Sequence, residues 1–268
     1  MISPIARQRR HTLRFLEEAR SFAPVFLSTD VDMGRIVEHR AAARERDRRY
    51  SVVAYVLYAA ARVLAAHPEA NAAIRGRIRP RVARYPAVHG KLALDKTIDG
   101  HRVVLSAVLP DLDTAGLDEI QRLVDYYRTG DPAQLPEFAG TRALHRLPWP
   151  FGPMAFRLGT RPLARRGDVM GTFALSSLGH RPVDDFYSVG GTTITLGLGR
   201  IADRPVARDG TVEIAPVARL SLTFDHRVID GAEAADVLAD LVKGLEDYNG
   251  ATAPPRQRSL AQARAEAV

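Results

Sequence analysis

The sequence from Leu220 to Gly231 reads Leu-Ser-Leu-Thr-Phe-Asp-His-Arg-Val-Ile-Asp-Gly. Apolar residues alternate with Ser and Thr as far as Phe224, and this period of two predicts a half-buried strand. The strand leads directly to His226, with Asp230 shortly after it and a helix predicted to begin at Gly231. A histidine at the end of a buried strand can serve as a general base. Taken alone it fits a loop residue in a surface ion pair better, so its role as a base depends on the rest of the chain.

The composition is typical of a soluble globular protein. The chain has 268 residues, of which 46% are hydrophobic and 26% are charged. Because it has no cysteine, disulfides, thiolate nucleophiles and cysteine-ligated metals are excluded. The formal net charge is +7, which favours anionic partners such as nucleic acid, an anionic membrane or a phosphorylated cofactor. No nucleic-acid recognition motif accompanies that charge, so we expect no nucleic-acid partner.

Neither the N-terminal residues nor the most apolar stretch of the sequence predicts a membrane protein. Met1 to Arg10 is basic but is followed by no apolar run of the kind found in signal peptides. The most apolar stretch, Val52 to Ala66, is too short to span a bilayer and contains Arg62. We therefore expect a buried helix at that stretch, a cytoplasmic location and no membrane contact.

Predicted helices and strands follow one another without a regular βα repeat. The predicted helices cover 7–20, 33–48, 51–66, 113–127 and 231–247. The predicted strands cover 25–31, 77–85, 87–96, 102–109 and 192–199, with a strand that runs into a turn at 171–180 and one or two strands at 212–224. This order favours an α+β fold, a two-layer sandwich of a mixed β-sheet and flanking helices, over a Rossmann fold. Residues 1–22 are predicted to form an N-terminal arm and helix, 23–249 the main domain, and 250–268 a disordered tail.

Residues at about 129–168, called the insertion below, interrupt the pattern. They are rich in proline and arginine, and the prolines between Leu147 and Pro153 predict neither regular helix nor strand. Four interpretations stay open: a phosphate-binding flap, an arm that docks a partner, an interfacial membrane patch around Trp149, or a solvated loop held by its prolines and aromatic residues.

A second motif, Ala174-Leu-Ser-Ser-Leu-Gly-His180, precedes the first. Together with Asp225-His-Arg-Val-Ile-Asp-Gly231 it resembles the catalytic domain of 2-oxoacid dehydrogenase acyltransferases. These are the dihydrolipoamide acyltransferase components of their complexes, and they share the chloramphenicol acetyltransferase-like fold. Further matches to the family are Arg9-Arg10, Asp30-Val-Asp32, Pro68-Glu-Ala-Asn71 and Gly90-Lys-Leu-Ala-Leu-Asp95. The resemblance covers about residues 7–248.

The resemblance implies a role for each motif. His226 matches the family's general base, which takes a proton from the acceptor thiol or hydroxyl. Ser176 matches the hydroxyl that donates to the tetrahedral oxyanion, and its neighbour Ser177 is the weaker candidate. Asp230 matches the residue that orients the site, commonly through an ion pair with an N-terminal arginine.

That arginine would be Arg9 or Arg10, and Gly231 and Asn71 would support the site structurally. The resemblance further implies coenzyme A as a substrate, for which we assign no binding residue, and it implies no metal.

The assembly and partners are also matters of resemblance. The family forms homotrimers with active sites at subunit interfaces, so His226 and Ser176 would come from different chains. Lipoyl and subunit-binding domains do not precede the catalytic domain here, so we expect a free-standing enzyme whose lipoyl group comes in trans. Its partner would be a lipoyl-bearing protein or a 2-oxoacid dehydrogenase component. The alternative is a non-catalytic trimeric scaffold that recruits a dehydrogenase, a membrane or another partner through the insertion.

Overall fold

A mixed six-stranded sheet forms the centre of the protein. The computed structural model describes residues 5–76, 78–148 and 151–250. The strands are β1 (Pro24–Asp32), β2 (Ala72–Arg75), β3 (Arg81–Arg84), β4 (Gly90–Ile98), β5 (His101–Leu109), β6 (Phe173–Ser177), β7 (Ile194–Arg208) and β8 (Thr211–Asp225). The sheet runs in the order β1-β8-β7-β6-β4-β5, while β2 and β3 pair separately. β6 is parallel to both β4 and β7, and the other pairs are antiparallel.

Helices cover the sheet. They are α1 (Arg10–Ala19), α2 (Gly34–Glu45), α3 (Val52–Ala66), α4 (Leu117–Thr129), α5 (Ala139–Arg146), α6 (Phe151–Thr160), α7 (Leu163–Met170) and α8 (Gly231–Glu246), with 3-10 turns at Arg7–Arg9 and Pro136–Phe138. α3 is buried along most of its length and packs against α4 and α8, which confirms that its apolar run belongs to the core. None of the helices within the described ranges is long and apolar enough to span a bilayer. The predicted α+β class is confirmed.

Local chemistry explains the best-predicted boundaries. Ser51 caps α3 by accepting a hydrogen bond from the Ala54 amide at 3.3 Å. Asp209-Gly210 joins β7 to β8, and Asp99-Gly100 joins β4 to β5. All four of these turn residues have positive φ, which an Asp-Gly pair tolerates and a two-residue hairpin turn requires.

Two predictions from the sequence are wrong. The sequence predicts that the strands at 77–85 and 87–96 belong to one hairpin or meander, but β3 pairs instead with β2, a four-residue strand too short to show a period. The stretch from Leu147 to Pro153 is not wholly irregular, because α6 begins at Phe151. Pro153 lies in the first turn of α6, where a helix leaves its amides without partners and a missing N–H costs nothing.

The insertion is therefore mostly helical within the described residues. It contains α5, α6 and most of α7, joined by short connections. The patch predicted around Trp149 and the tail from residue 251 lie outside the described residues, so those two predictions stay predictions.

Candidate active site

The turn that carries His226 is tied to the start of the first strand. β8 ends at Asp225, and the His226 amide donates to the Ala23 carbonyl at 2.9 Å. The Val228 amide closes the turn on the Asp225 carbonyl at 2.9 Å. The backbone around the candidate base is thus held both by the residue before β1 and by the end of β8.

An ion pair between a buried aspartate and a partly exposed arginine underlies this turn. Asp225 is only 2% exposed and pairs with Arg227, whose Nε lies 2.8 Å from the carboxylate. The Ala23 and Arg227 amides also donate to that carboxylate, at 3.3 and 3.2 Å. Burying a carboxylate without partners costs roughly several kcal/mol of folding free energy. These donors therefore offset the cost of burying Asp225. The pair therefore fixes the residues on either side of His226.

His226 and Asp230 lie close together within one chain. The His226 Nδ1 lies 3.3 Å from the Asp230 carboxylate, and Asp230 is the N-cap of α8. In one chain the His226 side chain is 48% exposed and the Asp230 side chain 88%. With Nδ1 on the side of Asp230, Nε2 is the ring nitrogen left to act as a base.

The expected arginine partner of Asp230 is not found within one chain. No contact in the described part of the chain joins Asp230 to Arg9 or Arg10. Arg10 instead reaches the insertion, where its guanidinium lies 3.5 Å from the carbonyls of His145 and Leu147. An ion pair between Asp230 and an N-terminal arginine stays a prediction.

Ser176 lies at the end of the short central strand β6. It is partly buried and is aligned with Gly197 of the parallel neighbour β7. Within the described residues the hydroxyls of Ser176 and Ser177 form no hydrogen bond, so each can donate to a ligand. Phe173 and Leu175 of the same strand are buried in the core. Because side chains alternate along a strand, Ser176 belongs to the opposite face of the sheet.

The sheet register separates Ser176 from His226 in one chain. Ser176 is aligned with Gly197, and Gly197 with Ser221 of β8. From Ser221 to His226 the backbone advances about 16 Å, at ~3.3 Å per residue. Two strand spacings add a further ~10 Å sideways. A single chain therefore does not bring the two candidate catalytic side chains together.

The two residues expected to support the site differ in their surroundings. Asn71 is 1% exposed, and its amide donates to the Tyr85 and Ala87 carbonyls at 2.8 and 3.0 Å. The next residue, Ala72, accepts from the Thr193 hydroxyl, and the Thr193 carbonyl accepts from the Asp225 amide. This chain of bonds leads from Asn71 to the His226 turn.

Gly231, in contrast, is exposed at the start of α8, and a Cβ there would meet no atom of the same chain within 4 Å.

Two buried cations close to the site were not found from the sequence. Lys91 of β4 donates to the Gly190 carbonyl, and its ammonium lies 5.0 Å from the centre of the Phe15 ring. Burial, reinforced by the charge of Arg166, lowers the pKa of Lys91 to about 7. Arg166 of α7 donates to the Gly191 carbonyl at 2.9 Å.

Burial also lowers the pKa of Arg166. Gly191 lies two residues before Thr193, whose carbonyl accepts from the Asp225 amide, so the last helix of the insertion is linked to the start of the His226 turn. Among the described residues no cluster of three or more His, Asp or Glu side chains has the arrangement of a metal site.

Comparison with known proteins agrees with this architecture. The sequence profile of the family described as "2-oxoacid dehydrogenases acyltransferase (catalytic domain)" matches residues 2–130 and 164–253. The chain belongs to this family. The acyltransferase profile thus matches both site motifs and leaves residues between 130 and 164, most of the insertion, unmatched.

Relatives in the acyltransferase family span nearly the whole chain. The dihydrolipoyllysine-residue succinyltransferase component of the Escherichia coli 2-oxoglutarate dehydrogenase complex is 26% identical over 91% of this chain and 54% of its own length. The dihydrolipoyllysine-residue acetyltransferase component of the Schizosaccharomyces pombe pyruvate dehydrogenase complex is 30% identical over 91% of this chain and 45% of its own length. The chain thus spans about half the length of these curated relatives.

A solved structure shows the same fold. The chain is similar to a probable dihydrolipoamide acetyltransferase from Listeria monocytogenes, with a TM-score of 0.70, 17% identity and coverage of 95% of this chain and 98% of that one.

Proposed function

We propose that the protein transfers an acyl group between coenzyme A and a dihydrolipoyl thiol or a similar small acceptor. The observation that carries the proposal is the His226 turn, where the ion pair of buried Asp225 with Arg227 and a bond to Ala23 hold a histidine whose Nδ1 faces Asp230. Membership of the acyltransferase family supplies the reaction class. The coenzyme A phosphates would suit a chain with a net charge of +7.

The reaction follows from the chemistry of these side chains. Nε2 of His226 takes the proton of the acceptor thiol, and the thiolate attacks the acyl-CoA carbonyl carbon. The Ser176 hydroxyl donates to the oxyanion of the tetrahedral intermediate, a contribution typically worth about 3 kcal/mol. When the intermediate collapses, the carbon–sulfur bond to coenzyme A breaks, and the departing thiolate receives the proton from His226. No acyl-enzyme is formed.

The separation of Ser176 from His226 supports a site shared between chains. In this proposal the protein is a homotrimer, and His226 of one chain faces Ser176 of its neighbour across an interface. A closed ring of three identical interfaces then contains three equal sites. The lipoyl group would be supplied in trans by a lipoyl-bearing protein or a 2-oxoacid dehydrogenase component.

Replacement of the base tests the mechanism. His226→Ala is expected to lower kcat for acyl transfer from acyl-CoA to dihydrolipoamide by about a hundredfold or more, because a positioned base contributes that much. His101→Ala, an exposed histidine at the start of β5, is the matched control and should keep the wild-type rate. Equal rates for the wild type and His226→Ala would exclude His226 as the base.

A scaffold without catalysis is the second candidate, and the exposed apolar face of α6 in the insertion favours it. A scaffold requires no reaction, so wild-type protein that transfers no acyl group from any acyl-CoA to any thiol would support it. Measurable turnover that depends on His226 would exclude it.

A further inference from the structure

One face of α6 exposes three large apolar side chains. Phe151, Met154 and Leu158 are 54%, 56% and 68% exposed and follow the spacing of a single helical face. We call these residues the α6 stripe. The opposite face is buried: Gly152 and Thr160 are covered, and the side chain of Arg14 lies directly against Gly152. α6 is therefore fixed to α1 by one face while the other has no partner within the described residues.

The sequence around the stripe carries charges of one sign, although Glu17 and Glu18 of α1 line a small hollow together with Arg157. From Phe138 to Gly167 the sequence contains six arginines and no aspartate or glutamate. Two of these arginines serve the fold, since Arg142 donates to the carbonyls of Pro132 and Leu135 and Arg166 is buried.

The other four are exposed and form no ion pair with the described residues: Arg146, Arg157, Arg161 and Arg165. Arg157 and Arg161 lie one helical turn apart next to Leu158, and so border the stripe. An apolar centre with a cationic rim is the pattern of a docking site for an anionic partner.

The stripe is also connected to the candidate site. α6 packs on α7, and Arg166 of α7 donates to the Gly191 carbonyl, two residues before Thr193, whose carbonyl accepts from the Asp225 amide at the start of the His226 turn. A body bound on α6 would therefore lie near the turn that carries the base. This position suits a partner that takes part in the reaction.

We infer that the α6 stripe and its arginine rim dock an acidic protein domain that presents the acyl acceptor on a lysine-linked arm. The inference rests on the proposed function. The relatives are named for a dihydrolipoyllysine residue, so the group they act on is carried by a protein. Cationic rims would repel each other if a second copy of the chain met the stripe face to face, and contact of the stripe with a different face of a second copy is tested by sedimentation below. Residues 251–268 contain three arginines and one glutamate, so they do not complement the rim either.

The test compares a free acceptor with a protein-bound one. Acyl transfer is measured with dihydrolipoamide and with a reduced, lipoylated domain of net negative charge from a 2-oxoacid dehydrogenase acyltransferase. The variants are F151S/M154S/L158S for the stripe and R157E/R161E for the rim. The controls are V212S/I214S, which changes exposed apolar residues of the β7–β8 hairpin, and Arg122→Glu, which reverses an exposed arginine of α4.

A docking site on the stripe predicts that the variants lose activity only with the lipoylated domain and not with free dihydrolipoamide. Both test variants should raise KM for the lipoylated domain about tenfold or more while kcat/KM for dihydrolipoamide stays at the wild-type value. The KM of wild-type protein for the domain should also rise with salt, because the rim acts through charge. Neither control variant should change either value.

Four results would overturn the inference. They are unchanged KM for the domain in both test variants, an equal loss with both acceptors, a change in the oligomeric state of F151S/M154S/L158S on sedimentation, and stripe-dependent binding to phosphatidylglycerol vesicles without binding to the domain. Titration calorimetry measures binding of the same domain directly, so a failure of the docking inference can be told apart from a failure of the proposed reaction. Wild-type protein that binds the domain through the stripe but transfers no acyl group retains the docking site and loses only the reaction.

Discussion

At the scale of single residues, the pairing of His226 with Asp230 decides how the candidate base works. The 3.3 Å contact assigns the Nδ1 side of the ring to the carboxylate. Without that carboxylate the ring can rotate or adopt the other tautomer, and a smaller fraction of the molecules would present an unprotonated Nε2 to the acceptor.

Asp230→Ala is therefore expected to lower kcat roughly tenfold or more, whereas Asp230→Asn should lose less, because its amide oxygen can still accept from Nδ1–H. Steady-state kinetics of acyl transfer give the comparison, and thermal unfolding checks that both variants are folded. If Asp230→Ala were as active as the wild type, the contact would have no part in positioning the base.

Lys91 makes stability depend on pH. Burial lowers the pKa of its ammonium to about 7, whereas an unfolded lysine titrates near 10.5. Between these values the unfolded chain binds a proton that the folded chain does not, so the free energy of unfolding rises with pH across this window. Below pH 7 both states are protonated and the cost of burying the charge is complete.

Lys91→Met removes that charge. The variant should gain most relative to wild type near pH 6, and the gain should shrink as pH rises from 7 towards 10. Urea unfolding at several pH values measures it, with the exposed Lys243→Met as control. A difference between Lys91→Met and wild type that stays constant with pH would contradict the assignment.

At the scale of the elements, long periodic segments were predictable and contacts between distant segments were not. α3 and α8 were found because apolar residues recur along them, and β8 because its residues alternate. β2 has only four residues, and α6 begins among prolines that usually end helices. Neither leaves a readable pattern.

The site divides in the same way. His226, Asp230 and Ser176 stand in short motifs whose spacing is visible in the sequence. The contacts of Lys91 with Gly190 and of Arg166 with Gly191 join segments far apart along the chain, and only the folded sheet reveals them.

The contact between the end of α3 and α8 gives the stability of the protein a second dependence on pH. His67, just after α3, lies 2.8 Å from Glu233 and 3.0 Å from Asp240 of α8. Burial lowers the pKa of His67, but the hydrogen bonds of Asp240 and Glu233 outweigh it, so its pKa is raised above 6.5. The stabilisation is then complete below pH 6.5 and is lost as pH rises through the raised value.

His67→Gln should accordingly destabilise the protein most below pH 6.5 and progressively less at higher pH. Unfolding monitored by circular dichroism across this range provides the measurement, with His101→Gln as the exposed control. If the destabilisation caused by His67→Gln grew with pH, the stabilising interaction of protonated His67 with Glu233 and Asp240 would be contradicted.

At the scale of the whole molecule, the distance between Ser176 and His226 predicts that inactive chains can complement each other. If each site takes His226 from one chain and Ser176 from the next, a mixed trimer of His226→Ala and Ser176→Ala chains contains one intact interface. Random mixing at equal amounts should then restore roughly a quarter of the wild-type sites.

The experiment refolds the two variants together and separately and compares acyl transfer. Activity in the mixture alone supports a shared site. Mixed trimers, isolated through a tag on one variant, that are no more active than the two components would contradict the shared site.

The pairing of β1 with β8 has a consequence for how the protein is made. Pro24, at the start of the first strand, is aligned with Asp225, at the end of the last, and Ala23 binds the His226 amide. During synthesis β1 emerges early and must wait for its partner until nearly the whole chain has left the ribosome. Contacts of such long sequence separation form slowly, and an unpaired strand is prone to aggregate meanwhile. The candidate catalytic turn is therefore among the last parts to be completed, and a chain that stops short of β8 can have no activity at all.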